Sequence, residues 1–284
     1  APYKADPNFS YHISSFTNEP LMAELIDNAD IVYHLAAAVG VQLIVKSPVR
    51  TIETNVKGTE IVLANAVKKG KPVFVASTSE VYGKSPHLPF REDGNLVLGA
   101  TTKGRWAYAC SKAIDEFLAL AYFNERRLPT VVGRMFNTVG PRQTGRYGMV
   151  LPRFAQQAIR GEPITVFGSG EQTRCFCHVD DTVRALVLLM RNEASYGQVF
   201  NVGGGREVAI KSLAELVKKT ANSSSEIVLI PYEEAYAAGF EDMLRRVPDT
   251  TKVHRHIGWK PQHNLERIVA DVVAEARAKG VNPG

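Results

Sequence analysis

Two spacings of apolar residues divide the chain. Short runs, Asp30-Ile31-Val32-Tyr33-His34-Leu35, Pro72-Val73-Phe74-Val75-Ala76 and Thr130-Val131-Val132-Gly133-Arg134-Met135-Phe136, have the length and β-branched content of buried strands. Longer stretches with helical spacing lie between them: 19–28, 48–69, and one opening at Trp106-Ala107-Tyr108-Ala109-Cys110-Ser111-Lys112. Pro48 falls where a first-turn proline is tolerated, and Gly70 ends that helix. A further short strand is expected at Phe9-Ser10-Tyr11-His12-Ile13. Strands apolar on both faces, alternating with helices of this length, predict a parallel sheet covered on both sides, the doubly wound α/β class.

After Pro141 the alternation loosens. Helices are expected over 150–160, 181–191, 213–220 and 265–279, with strands at 164–167 and 198–202. Leu265, Ile268, Val269, Val272 and Val273 make one apolar stripe. The pattern predicts a large domain over 1–140 and a smaller α/β lobe over 141–284, with some segments returning to the large domain. Ligands of open α/β sheets bind in the crevice at the carboxyl ends of the strands.

Charge and cysteine content narrow the partners. The net charge is +5 and the isoelectric point about 9.0, but Lys and Arg are scattered, with no basic run interleaved with aromatics. That favours anionic small molecules over nucleic acid. Cys110, Cys175 and Cys177 fit neither a zinc knuckle nor a disulfide framework, so free thiols in a reducing compartment are expected. No metal-ligand set stands out, no apolar run reaches the ~18 residues of a membrane span, and no leader opens the chain. A cytoplasmic protein is the simplest expectation.

Candidate chemistry begins with Tyr108 and Lys112. Four residues apart on a helix, their side chains share a face. A fixed ammonium would favour the phenolate and lower the tyrosine pKa from about 10, making a usable proton acceptor.

Four ordered motifs then carry a resemblance. They are Ser77-Thr78-Ser79-Glu80-Val81-Tyr82-Gly83, Tyr108-xxx-Lys112, Arg134-Met135-Phe136-Asn137-Thr138-Val139-Gly140-Pro141-Arg142 and Arg174-Cys175-Phe176-Cys177-His178-Val179-Asp180-Asp181. Together with His34-Leu35-Ala36-Ala37 and Glu53-Thr54-Asn55-Val56-Lys57-Gly58-Thr59, they resemble the extended short-chain dehydrogenase/reductase superfamily, within it the NAD-dependent nucleotide-sugar epimerases, dehydratases and decarboxylases. The resemblance implies a Rossmann-like fold with NAD as cofactor and a nucleotide-diphosphate sugar, of the UDP-sugar type, as substrate. By that likeness Tyr108 is the general base, Lys112 holds the cofactor ribose, and Thr78 hydrogen-bonds the reacting oxygen. Leu35, Ala36, Ala37, Asn55 and Ser77 fall on the cofactor side. Ser79, Asn137, Phe167, Arg174 and Arg246 fall on the substrate side, with Arg146 a weaker candidate, and His178 is expected to pack at the lobe boundary. Glu80 and Arg105 lean toward UDP-glucuronate decarboxylase, with a UDP-sugar 4-epimerase the alternative; a homodimer is implied as well.

One departure qualifies this. The Gly-rich turn of the family's dinucleotide fingerprint is absent; Gly168-Ser169-Gly170 and Gly203-Gly204-Gly205 lie far downstream and in the wrong register. The chain is therefore expected to start inside its cofactor domain, without the first βαβ unit, leaving a gap in the middle of the sheet. An incomplete record of a longer protein, a fold that closes the gap or borrows a strand, and an inactive nucleotide-sugar-binding relic would each account for this.

Overall fold

The computed structural model describes residues 4–40, 47–144, 149–235 and 241–280. In chain order the first elements are α1 (Glu19–Asp27), β1 (Val32–His34), α2 (Pro48–Ala66), β2 (Val73–Thr78), α3 (Trp106–Arg126), β3 (Thr130–Met135), β4 (Asn137–Val139) and α4 (Val150–Arg160). They are followed by β5 (Ile164–Phe167), β6 (Thr173–His178), α5 (Val179–Met190), β7 (Gln198–Val202), β8 (Glu207–Ala209) and α6 (Ile210–Ala221). The last are β9 (Ile227–Ile230), α7 (Tyr232–Ala235), β10 (Arg245–Arg246), α8 (Thr251–Ile257) and α9 (Leu265–Gly280).

The first sheet runs β1-β2-β3-β7, every pair parallel. Its strands read as unbroken apolar runs because both faces are buried. Val73, Val75 and Val132 pack with Leu63 and Ala119 on one side, while Phe74 and Val131 join Phe200, Val202 and Trp259 on the other. Burying each such side chain stabilises by about 1.5–3 kcal/mol. Gly133 lets Phe74 lie flat against β3; a Cβ there would stand 2.4 Å from the Phe74 ring.

A second layer follows. Strands β10, β6 and β4 form a parallel sheet with β8 antiparallel to β6, and β5 pairs with β9. Helices α4, α6 and α9 meet around Leu151, Phe154, Leu213, Val217, Ile268 and Val272. The apolar stripe of α9 is the face buried there.

Two expectations need correction. Residues 9–13 form no strand: no neighbouring strand accepts their hydrogen bonds, and Phe9, Tyr11 and Ile13 are 44%, 57% and 94% exposed. Nor does the first sheet have a hole in its middle. Its four strands pair without interruption and β1 stands at the rim, so the open backbone groups lie along an edge.

The helix over 48–69 stays α-helical to Ala66 and tightens into a 3₁₀ turn through Lys69, with Gly70 left-handed at φ 63°. No described helix is long and apolar enough to cross a membrane.

Candidate active site

A cavity of about 590 Å³ opens at the carboxyl ends of β2 and β3, where the second layer faces the first sheet. Strand β2 ends at Thr78, whose hydroxyl accepts the Glu80 amide at 3.2 Å and starts a single 3₁₀ turn over Ser79–Tyr82. That turn places Ser77, Thr78, Ser79 and Glu80 on the cavity wall. Tyr108 enters from the first turns of α3, and its phenol contacts the Thr78 side chain. Leu35, Ala37, Asn137, Phe167, Arg174 and Arg246 complete the set of expected residues that line the cavity.

Three expected residues stand elsewhere. Ala36 is exposed and outside the wall. Asn55 is buried under it, accepting the Ala38 amide at 2.7 Å and donating to Ser111 at 3.0 Å, so it fixes the segment after β1 without facing the cavity. Lys112 is 1% exposed, and its ammonium lies 2.6 Å from the Asp115 carboxylate. A fully buried ammonium needs a counter-charge, and Asp115, one turn on, supplies it.

The expected depression of the Tyr108 pKa is therefore not found. Burial raises it, and the nearby Glu80 and Asp115 charges raise it further, against a lowering hydrogen bond from Thr78 and the Arg246 charge. Lys112 instead helps burial hold His34 down at about 4. The neutral His34 ring meets Thr59 at 3.1 Å.

Behind Ser77 lies a second buried network. Ser77 donates a short hydrogen bond to Glu116, which also takes a fork of bonds from Arg134 at 2.7–3.2 Å. Burial by itself would lower the Arg134 pKa, but the Glu116 carboxylate more than reverses this. Arg134 sits 4.7 Å above the Tyr82 ring, and the Tyr82 hydroxyl donates to Asn201 at 2.7 Å.

On the far wall, Glu80 lies 3.4 Å from both Arg105 and Arg246. Burial, then the like charge of Arg174, lowers the Arg246 pKa to about 10. Asn137 donates to the Cys175 carbonyl at 3.2 Å, and the Arg153 guanidinium lies 3.9 Å from the centre of the Phe167 ring. Arg146 is outside the described residues. His178 stacks on His263 with ring centres 4.3 Å apart and is not on the cavity wall. Cys175 and Cys177 are buried free thiols whose pKa values burial raises to about 12 and about 11.

Sequence reasoning missed Asp242, Tyr232 and Arg153, which also line the cavity. The one available signal was the acidic pair Glu241-Asp242 shortly before Arg245-Arg246.

A parallel sheet with a tyrosine and a threonine side chain in contact at its carboxyl edge, facing a wall of arginines, defines a Rossmann-like α/β protein with its cavity at the carboxyl ends of the strands. The chain belongs to the family described as GDP-mannose 4,6 dehydratase, whose model matches residues 1–272. It is 41% identical over 260 residues to a UDP-N-acetyl-alpha-D-glucosaminuronate decarboxylase of Bacillus cytotoxicus, covering 91% of this chain and 80% of that protein. It is 36% identical over 251 residues to UDP-glucuronic acid decarboxylase 1 of Xenopus tropicalis, covering 87% of this chain but 56% of that one. Among solved structures, a dTDP-glucose 4,6-dehydratase from Streptomyces venezuelae with NAD bound superposes with a TM-score of 0.88 at 26% identity, over 99% of this chain and 84% of that one. The UDP-glucose 4-epimerase of Thermotoga maritima with UDP-glucose gives 0.86 at 29% identity, over 97% and 86%.

Proposed function

We propose that this protein is an NAD-dependent nucleotide-sugar enzyme that oxidises the sugar at carbon 4 and, as its main reaction, decarboxylates a UDP-linked hexuronate such as UDP-glucuronate. The observation that carries this reading is the Tyr108–Thr78 contact beside Glu80, itself set between Arg105 and Arg246 in one cavity. Its decarboxylase relatives and its NAD- and UDP-sugar-bound structural neighbours support it.

The apolar side of the cavity, Leu35 and Ala37 beside Tyr108, fits the flat nicotinamide end of the cofactor. When bound, NAD supplies the hydride acceptor for carbon 4 and returns the hydride later. Tyr108 takes the proton from the 4-hydroxyl, and Thr78 holds that oxygen by a hydrogen bond. The resulting ketone is β to the carboxyl group, so the C5–C6 bond can break, carbon dioxide leaves, and the electron pair passes to the ketone oxygen near Tyr108 and Thr78. The enolate takes a proton at carbon 5 from a water molecule, which we assign Glu80 to orient by accepting its other hydrogen bond. Arg246 and Arg105 supply positive charge for the departing carboxylate, and Arg174, Asn137 and Phe167 face the nucleotide diphosphate.

We further propose a homodimer through the exposed faces of α2 and α3, which carry Val49, Ile52, Ile114 and Phe117, and a cytoplasmic setting consistent with the free thiols.

Release of carbon dioxide from UDP-glucuronate by purified protein supplied with NAD tests the reading. Tyr108→Phe should abolish it. Conversion of UDP-glucose without loss of carbon dioxide would instead select a 4-epimerase, and no turnover of either sugar would select a binding protein.

A further inference from the structure

Arg174 is committed before any ligand arrives. Its Nη1 donates to the carbonyls of Thr173 at 2.8 Å and Leu244 at 3.5 Å, and its Nη2 to both Asp242 oxygens at 2.9 and 3.0 Å. Both terminal nitrogens are thus engaged, leaving Nε. The same carboxylate takes the Tyr232 hydroxyl at 3.0 Å and lies 3.7 Å from Arg105. Although burial opposes its charge, the Arg174, Arg246 and Arg105 guanidiniums keep it ionised.

Asp242 also lies on the cavity wall, 13% exposed. The neighbouring Glu241 anchors it from outside the cavity, 2.7 Å from Lys84 and accepting the Trp106 indole N–H at 2.9 Å. On this wall Arg105, Arg174 and Arg246 face the carboxylates of Glu80 and Asp242.

We propose that Asp242 is a specificity-determining residue acting as an internal competitor: its carboxylate holds the arginine donors that the diphosphate of the nucleotide sugar needs, and yields only to a ligand carrying more charge and more oxygens. This inference rests on the nucleotide-sugar reading above. A bidentate grip by Arg174 needs two adjacent nitrogens, and Nη2, which would pair with Nε or Nη1 in such a grip, is held by Asp242. A diphosphate offers two charged groups to these three guanidiniums and can displace one carboxylate. A neutral sugar or a lone carboxylate gains nothing by the exchange. Asp242 in this role lowers affinity for every anion and lowers it least, in relative terms, for the diphosphate.

The test is calorimetric titration of UDP and of inorganic pyrophosphate into wild type, Asp242→Asn and Glu241→Ala. Asp242→Asn should bind both ligands about tenfold to a hundredfold more tightly, the range of one charge-assisted hydrogen bond no longer contested. Glu241→Ala, which loosens the anchor without altering the cavity wall, should tighten binding by a smaller factor. Equal or weaker binding by Asp242→Asn, with the circular dichroism of wild type, would overturn the inference and make Asp242 a group that orients Arg174. Should Asp242→Asn not fold, an unchanged Kd for Glu241→Ala overturns it. UDP bound by none of the three proteins would remove the nucleotide-sugar reading and this inference with it.

Discussion

Replacing Glu116 with alanine tests whether the network behind Ser77 holds the active-site strand in place. Glu116 and Arg134 are 4% and 5% exposed and share three contacts, Nε to the two carboxylate oxygens at 3.0 and 3.2 Å and Nη2 at 2.7 Å. Glu116→Ala strands a buried guanidinium with only the Glu92 carbonyl at 3.2 Å and the Tyr82 ring beside it, and it removes the acceptor of Ser77. Breaking one side of a buried pair costs about 3–5 kcal/mol, a large share of a total stability of about 5–15 kcal/mol. With a urea slope near ~3 kcal/mol/M, the unfolding midpoint should fall by about 1–2 M. The assay is equilibrium urea unfolding followed by circular dichroism and tryptophan fluorescence. Glu116→Leu combined with Arg134→Met should recover most of the loss, because a buried pair exchanged for apolar groups of similar size is often neutral. A midpoint lowered by less than ~0.3 M in the single variant would refute the reasoning, since at this slope the pair would then be worth no more than an exposed one.

Three further outcomes follow from the same geometry. Asp115→Asn removes a charge that raises the Tyr108 pKa and frees Lys112, so the acidic limb of the pH–rate profile should move to lower pH; a limb that stays put or moves up refutes it. His34 has its pKa lowered from 6.5 to about 4, so it binds its proton more readily when unfolded: the stability it contributes is complete above pH 6.5 and drains away as pH falls toward about 4. Urea midpoints measured across that window should fall less steeply in His34→Gln than in wild type. Phe117→Asp, at a side chain 70% exposed on α3, should convert a dimer to a monomer in sedimentation velocity with the circular dichroism unchanged.

Local pattern made much of this fold readable. The successive apolar residues Val73–Ala76 in β2 and Val131-Val132 in β3 point to both faces, which a sheet covered on both sides explains. Thr78 is legible through the motif that carries the resemblance and Tyr108 through its four-residue spacing to Lys112 on a helix, and both line the cavity. Lys112 shows the limit of that approach. Its spacing to Tyr108 was legible, but its partner was decided by burial, and Asp115 lies one turn away on the same helix with no exposure to solvent. Asp242 was illegible for a different reason: it meets Arg174 across 68 residues of chain, and nothing local in either segment announces the pair. Residues 9–13 misled because alternation of apolar side chains specifies a strand only where another strand is present to accept its hydrogen bonds.

The position of β7 has a mechanical consequence. This strand comes from the later half of the chain yet completes the first sheet beside β3, and Val253 of α8 and Trp259 from the same half pack on one face of that sheet with Phe74 and Val131. The polypeptide therefore crosses between the layers more than once. A protease nick near residue 141 would separate two pieces that each lack part of a shared interior, and the fragments should stay associated until both melt together. A family that exchanged its ligand-gripping lobe by simple cut and splice would lose β7 in the process, so new specificities on this scaffold have to arise by substitution around the cavity.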